Sequence, residues 1–476
     1  MPGKYEAPRG GRRRKPRKSP IFPIFLILIL IAGVGFAAWK FLPGFIGGDP
    51  DPTNPGKNPS SVLGNWGKDD PTEPSTVPTE PKPEAVHQIA SATVVSTGDL
   101  LMHMPVIDAS IRSGGTYDFT HVFKYVEPYV SAADYAAANL ETTLCGTDNG
   151  YEYHGYPHFN CPDEIVTGAM DAGFDMMLTA NNHSYDTTLV GYKRTLEVIR
   201  GEGMDTLGTY ASADEVKWTI KEINGINIGM LCYTYATHDV DGRPRLNGNT
   251  PIAEAGLCNY FIYENLPAFY TEVETYLDEM ETAGAEATIV YIHWGIEYQT
   301  YANDQQKAIA QKLCDLGVDV IVGGHPHVVQ PIDLLTSTTD PEHKTVCLYS
   351  MGNAVSNQRR EFMNLKTGHT EDGMLFSVTF SKYSDGTVYV DSTDILPTWV
   401  NMYNPGTGKE YNILPLDDET MDDWKTLYNI NDTLYSEAKK SYDRTMAIVR
   451  EGLEECQSYL AQSKQQRDET YLAAVQ

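Results

Sequence analysis

Five apolar runs of strand length in this chain stop at residues that can bind a metal or move a proton. "ATVVSTGD" ends at Asp99, "YAAANLE" at Asn139 and Glu141, and "FDMMLTANNH" at Asn181, Asn182 and His183. "ATIVYIH" ends at His293, and "VDVIVGGHPH" ends at His325 and His327. "INIGMLCYTYATHD" and "TVCLYSMGN" repeat the theme. Between these runs lie "PDEIVTGAMDAG", "TLVGYKRTLEVIRGEG", "LPAFYTEVETYLDEMETAG" and "NDQQKAIAQKLCDLG". Each has apolar spacing near 3.6 and reaches a glycine that can cap a helix. Strand-then-helix alternation predicts a layered α/β domain.

"GMLFSVTFSKYSDGTVYVDSTDILPTWV" departs from that alternation and reads as a hairpin closing the sheet, with Asp385-Gly386 at its turn. The predicted domain runs over 91–404. Residues 405–476 are polar and helix-prone and read as a helical C-terminal appendage.

The N-terminal region is different in kind. Residues 1–20 carry the basic cluster "RGGRRRKPRKSP", and residues 21–46 open with an uncharged run from Ile21 to Trp39. About 20 mostly apolar residues are needed to cross a bilayer, so 21–46 is expected to be a single transmembrane anchor. Positive charge stays inside, which places the N-terminus in the cytoplasm and the body outside the cell. A cleaved signal peptide is the rival reading; the apolar region is long for that role and no clear A-x-A site follows it. Residues 47–90 are rich in Pro, Ser, Thr and Asp, cannot bury a core, and read as an extended spacer.

Up to Ile46, nine lysines and arginines face Glu6 alone, a charge of +8; with −28 in total, the remainder carries −36. An acidic body repels phosphate backbones and excludes nucleic acid as a partner. If the body lies outside the cell, a disulfide between Cys145 and Cys161 could tie down the loop between them. Buried free thiols are the alternative, favoured for Cys314 and Cys347 inside apolar runs.

In layered α/β domains, ligands sit beyond the carboxyl ends of strands, where loops carry polar groups without breaking the core. Taken singly, each motif has a plain structural reading. Asp99 with His103 could be a turn aspartate and a surface histidine, Glu141 a helix cap, Asp186 an N-cap, and His293 an imidazole satisfied by a carbonyl. "GGHPH" is the most specific, because Gly323 and Gly324 let the backbone pass close to a ligand. Jointly the residues point to a metal site. Imidazole with carboxylate suits Zn, Mn or Fe, and a bridging carboxylate with an Asn carbonyl suits a pair of metals. Such a pair could activate a water for attack on phosphorus or carbonyl carbon.

"TGDLLMH", "ANLETTL", "LTANNHSYD", "IHWGIEY", "VIVGGHPHVVQP" and "YSMGN", in this order, resemble the CapA-type poly-γ-glutamate (capsule) biosynthesis proteins, of calcineurin-like metallophosphoesterase fold. The resemblance covers Thr97 to Asn353. It implies an α-β-β-α sandwich of metallophosphoesterase type and one or two divalent metals. Asp99 and His327 would hold one metal, Asn182, His293 and His325 the second, and Glu141 would bridge. His103 is a further candidate ligand, although metallophosphoesterases read D-x-H where this chain has Asp99 and His103 four residues apart. His183, with Asp186, matches the histidine that assists the leaving group. Asn139, Trp294, Glu297, Tyr298 and Asn353 are expected to shape the substrate groove. Implied partners are an anionic surface polymer such as poly-γ-glutamate, the membrane and a polymer synthase complex. Three roles stay open at this level: a metal-dependent hydrolase-like protein, a non-catalytic scaffold, and an extracellular phosphodiesterase.

Overall fold

The computed structural model describes residues 85–475 apart from 239–241, 249, 253–254 and 407. The expected basic tail and transmembrane anchor, and the spacer up to residue 84, lie outside the described residues. Among the described residues no helix is long and apolar enough to cross a membrane.

Two sheets form the centre. β1 (Gln88–Leu100), β2 (Tyr135–Leu140), β3 (Met176–Leu178) and β4 (Asp205–Leu207) run parallel in the first. β5 (Ile226–Tyr235), β6 (Ala287–His293), β7 (Val320–Gly324) and β8 (Lys344–Leu348) run parallel in the second. The chain then returns to the first sheet through antiparallel β9 (Asp372–Tyr383), β10 (Val388–Tyr403) and β11 (Glu410–Pro415), giving the order β11-β10-β9-β1-β2-β3-β4. The expected hairpin is β9–β10, with Gly386 at φ 89° in its turn.

Period-two alternation sorts each strand between two cores. Val94 of β1 joins the cluster between the sheets, while Val95 faces the outer layer. On β6, Ile289 and Tyr291 face inward, and Val290 and Ile292 face outward. Helix α1 (Glu164–Asp171) covers the first sheet with Ile165, Val166 and Ala169. α2 (Thr188–Gly201) adds Tyr192 and Leu196 to the central cluster. α3 (Leu266–Thr282) and α4 (Asp304–Asp315) cover the second sheet with Phe269, Val273, Ile309 and Leu313. Glycines at positive φ follow all four helices, at Gly173, Gly203, Gly284 and Gly317. The result is the expected layered α/β sandwich.

The C-terminal region is helical, as expected, but it is built into the domain. The boundary placed at 404 falls between paired strands, because β11 extends the first sheet. Helix α5 (Asp432–Val475) then sets Val449, Leu453, Cys456 and Leu460 into the central cluster. A side chain at Gly452 would meet the Ile332 carbonyl at 1.7 Å, so α5 and the strand Ile332–Thr336 approach as closely as backbones allow. At the other end of the domain β1 opens at Gln88, slightly before the expected start at 91.

The bridge allowed between Cys145 and Cys161 is not formed; all seven cysteines are free and buried. Asn160 closes that loop instead. Its Oδ1 accepts from the Cys145 amide at 2.8 Å, and its Nδ2 donates to the Gly146 and Glu152 carbonyls at 2.9 Å.

Candidate metal centre

Parallel strands share one carboxyl end, so both sheets deliver their terminal residues to the same edge of the sandwich. Asp99 lies near the end of β1, beside Asn139 of β2 and Asn353 of the short strand Asn353–Val355. Glu141 follows β2, Asn181 to His183 follow β3, His293 ends β6, and His325 and His327 follow β7. The turn carrying the last two is tightly constrained. A side chain at Gly323 would meet the Tyr349 carbonyl at 1.9 Å, and one at Gly324 would come within 3.3 Å of Asp99 Oδ1. His325 and His327 take φ of 95° and 55°, conformations that side chains larger than glycine rarely adopt. Such strain persists where the surrounding structure imposes it, and it clusters at functional sites.

The geometry brings together two triads with ligand atoms within 4.8 Å of one another, Asp99–Glu141–His327 and Glu141–His293–His325. Glu141 belongs to both. Its Oε1 lies 3.5 Å from His293 Nε2, and its Oε2 lies 3.9 Å from His327 Nδ1. Asp99 Oδ2 is 3.0 Å from His327 Nδ1, and Asn182 Oδ1 is 2.8 Å from His293 Nε2.

The donor set fits divalent cations. Both Glu141 oxygens and His325 Nδ1 are buried without a hydrogen-bond partner, a costly state that a cation relieves. The same burial sets the titration of these groups. Burial, then the charges of Asp99 and Glu297, push the Glu141 carboxyl well above its ordinary value. Burial would also raise Asp99, but the hydrogen bond and charge of His327, with His293 and Asn139, hold it below. Burial drives His293 down to about 3 and His325 well below its ordinary value. Neutral imidazoles are the form that ligates metal.

Beside the triads, His183 Nδ1 lies 2.7 Å from Asp186 Oδ2. Asp186 also accepts the Phe159 amide at 2.7 Å, and the Phe159 ring stands edge-on to the imidazole at 4.7 Å. The His183 amide donates to Asn181 Oδ1 at 3.1 Å, and Asn181 Nδ2 donates to Asn139 Oδ1 at 3.1 Å. Asn139 Nδ2 in turn donates to Asp99 Oδ1 at 2.7 Å. A run of amides therefore ties the histidine–aspartate pair to the first triad, and Asn139 is a positioning residue rather than a groove residue.

Several expectations are corrected. His103 lies outside both triads: it precedes the short helix Met104–Ala109, and its Nδ1 sits between the Leu101 carbonyl and the Asn357 amide. Burial lowers that imidazole to about 4. Trp294 is fully buried in the outer core, donating from Nε1 to the Tyr349 carbonyl at 2.9 Å, and does not line a groove. Asn353 is also buried and turned into the first triad. Glu297 is exposed, and Tyr298 is half-buried with its ring 6.2 Å from that of His327.

Two neighbours of the site were not anticipated. The Tyr235 ring lies 4.8 Å from that of His325, at the end of β5, where the strand-end rule could have found it. Asn247 Nδ2 comes within 3.4 Å of His183 Nδ1 from a small three-stranded insert, for which the sequence offers no signal.

The family described as "Bacterial capsule synthesis protein PGA_cap" matches residues 93–358. The chain is 32% identical over 275 residues to "PGA biosynthesis protein CapA" of Bacillus subtilis (strain 168), covering 57% of this chain and 64% of that protein. It is 26% identical over 276 residues to "Capsule biosynthesis protein CapA" of Bacillus anthracis, covering 56% and 60%. The matched part thus spans less than two thirds of either relative. Among solved structures, the NAD nucleotidase (NadN) of Haemophilus influenzae aligns with a TM-score of 0.37 at 12% identity, over 74% of this chain and 68% of that one.

Proposed function

The chain belongs to the bacterial capsule synthesis family PGA_cap, and from that premise we propose that it serves the biosynthesis or export of poly-γ-glutamate or a related surface polymer as a metal-dependent hydrolase of metallophosphoesterase type. The observation that carries the catalytic part is Glu141, shared by two ligand triads with both oxygens buried and unpartnered. Asp99, Glu141 and His327 would hold one divalent ion; Glu141, Asn182, His293 and His325 would hold the other. Bound there, divalent ions would supply Lewis acidity and charge neutralisation at a phosphorus or carbonyl centre.

The residues of the chain do the rest. With Nδ1–H donated to Asp186, His183 presents Nε2 as the nitrogen that hands a proton to a leaving group. Phe159 packed on the ring, and Asn181 on the backbone, hold that orientation. The acidic body repels a polyanionic polymer at long range, so such a substrate would be drawn to the edge of the sandwich only where bound cations reverse the field. Residues 21–46 would anchor the protein in the membrane, with the domain outside the cell beside a synthase complex.

The test pairs two variants in the purified protein and in cells that make the polymer. His183→Ala is expected to keep metal content but lose turnover of a generic aryl phosphodiester by about 10²–10⁴-fold. His325→Ala is expected to lose metal and polymer output together. Normal polymer output from His325→Ala cells would leave a scaffold as the role.

A further inference from the structure

His327 Nδ1 faces three oxygens: Asp99 Oδ2 at 3.0 Å, Asn353 Oδ1 at 3.1 Å and Glu141 Oε2 at 3.9 Å. One N–H cannot point at all three. The Asn353 amide is not free to turn away. Its Nδ2 is surrounded by acceptors, the His327 carbonyl at 3.3 Å, Gln358 Oε1 at 3.1 Å and the Thr370 carbonyl at 3.0 Å. That arrangement fixes which end of the amide is oxygen and aims it into the triad. Asn353 is fully buried and paired in register with Asp99.

The second triad shows the same arrangement, with Asn182 Oδ1 2.8 Å from His293 Nε2. Each half of the centre therefore sets one amide oxygen against one imidazole nitrogen, with Glu141 between them. His103 has meanwhile been drawn away from the first half.

We infer that Asn353 is a metal ligand through Oδ1, completing the first site. This rests on the metal-centre reading above and deepens it. The first site then offers three oxygens and one nitrogen, from Asp99, Glu141, Asn353 and His327. The second offers two nitrogens and two oxygens, from His293, His325, Glu141 and Asn182. The first is the harder site and favours Mn²⁺, while the second favours Zn²⁺ or Fe.

The test is a Mn²⁺ titration of the purified full chain after chelation, followed by electron paramagnetic resonance. Two ions per chain are expected, and Asn353→Ala should weaken one of them on the order of 10–100-fold while the other holds. Two ions bound unchanged in Asn353→Ala overturns the assignment and leaves the metal centre standing. No Mn²⁺ bound by the unsubstituted chain overturns both. Should the variant fail to fold, anomalous diffraction at the manganese edge from the unsubstituted protein decides the matter. A peak about 2.2 Å from Asn353 Oδ1 supports ligation, and a peak held by Asp99, Glu141 and His327 with that oxygen turned away contradicts it.

Discussion

Two buried glutamates in this protein have opposite surroundings. Glu371 is 1% exposed and saturated: Oε1 accepts from the Arg360 amide and Nε at 3.0 Å, and Oε2 from Arg360 Nη2 at 3.0 Å and Trp399 Nε1 at 3.1 Å. Arg359 adds a further contact at 3.3 Å. Burial would raise its carboxyl, but the two arginines hold it below its ordinary value. Glu141 is 0% exposed, has no hydrogen-bond partner, and is pushed well above. Glu371 is saturated from within the chain, whereas Glu141 faces two imidazoles, at 3.5 and 3.9 Å, an arrangement compatible with a bound cation. Nearby, α5 supplies the same kind of completion to Asp372, which accepts from Ser441 at 2.6 Å and from Arg444 on both oxygens.

The comparison breaks most visibly in stability. Glu371→Gln removes the buried charge shared by Arg360 and Arg359, leaving Arg359, itself 4% exposed, with Glu361 as its remaining carboxylate, and is expected to cost about 3–5 kcal/mol in chemical denaturation. Glu141→Gln in metal-free protein removes a buried carboxyl disfavoured first by burial and then by the charge of Asp99, and is expected to be neutral or stabilising. Equal losses in the two variants would erase the distinction.

A second, smaller effect lies in the pH dependence, with opposite signs. Glu371 is held low, so its contribution is intact above the ordinary value of 4.5 and is lost as pH falls through its folded value. Glu141 is held high, so metal-free protein keeps Glu141 protonated near pH 4.5 and loses stability as pH rises above it. Melting curves across pH should show Glu371→Gln flattening the acid limb and Glu141→Gln flattening the other.

The smallest expected effect separates the centre from its support. Trp294→Phe removes the bond to the Tyr349 carbonyl and should cost about 1–3 kcal/mol with metal content unchanged. A loss of metal would return Trp294 to the site.

What the sequence disclosed follows the same division. The convergence of Asp99, Glu141, Asn182, His293, His325 and His327 was legible because parallel strands send their ends to one edge, and because Gly-Gly before two histidines has few structural uses. Trp294 misled because it follows His293: the next residue of a strand points to the opposite face, here the helical layer. His103 misled because the intervening Leu100, Leu101 and Met102 are buried and carry it past the site to the start of a helix. The integration of α5 was hidden because Asp372 and Arg444 are partners across 72 residues, and no local spacing reports such a pair.

If Glu141, which has no hydrogen-bond partner, is shared by two divalent ions, the metal content of the purified chain must fall on Glu141→Gln. Two ions per chain in the first and fewer than one in the second, with both proteins folded, is the predicted result. The same content in both would contradict it.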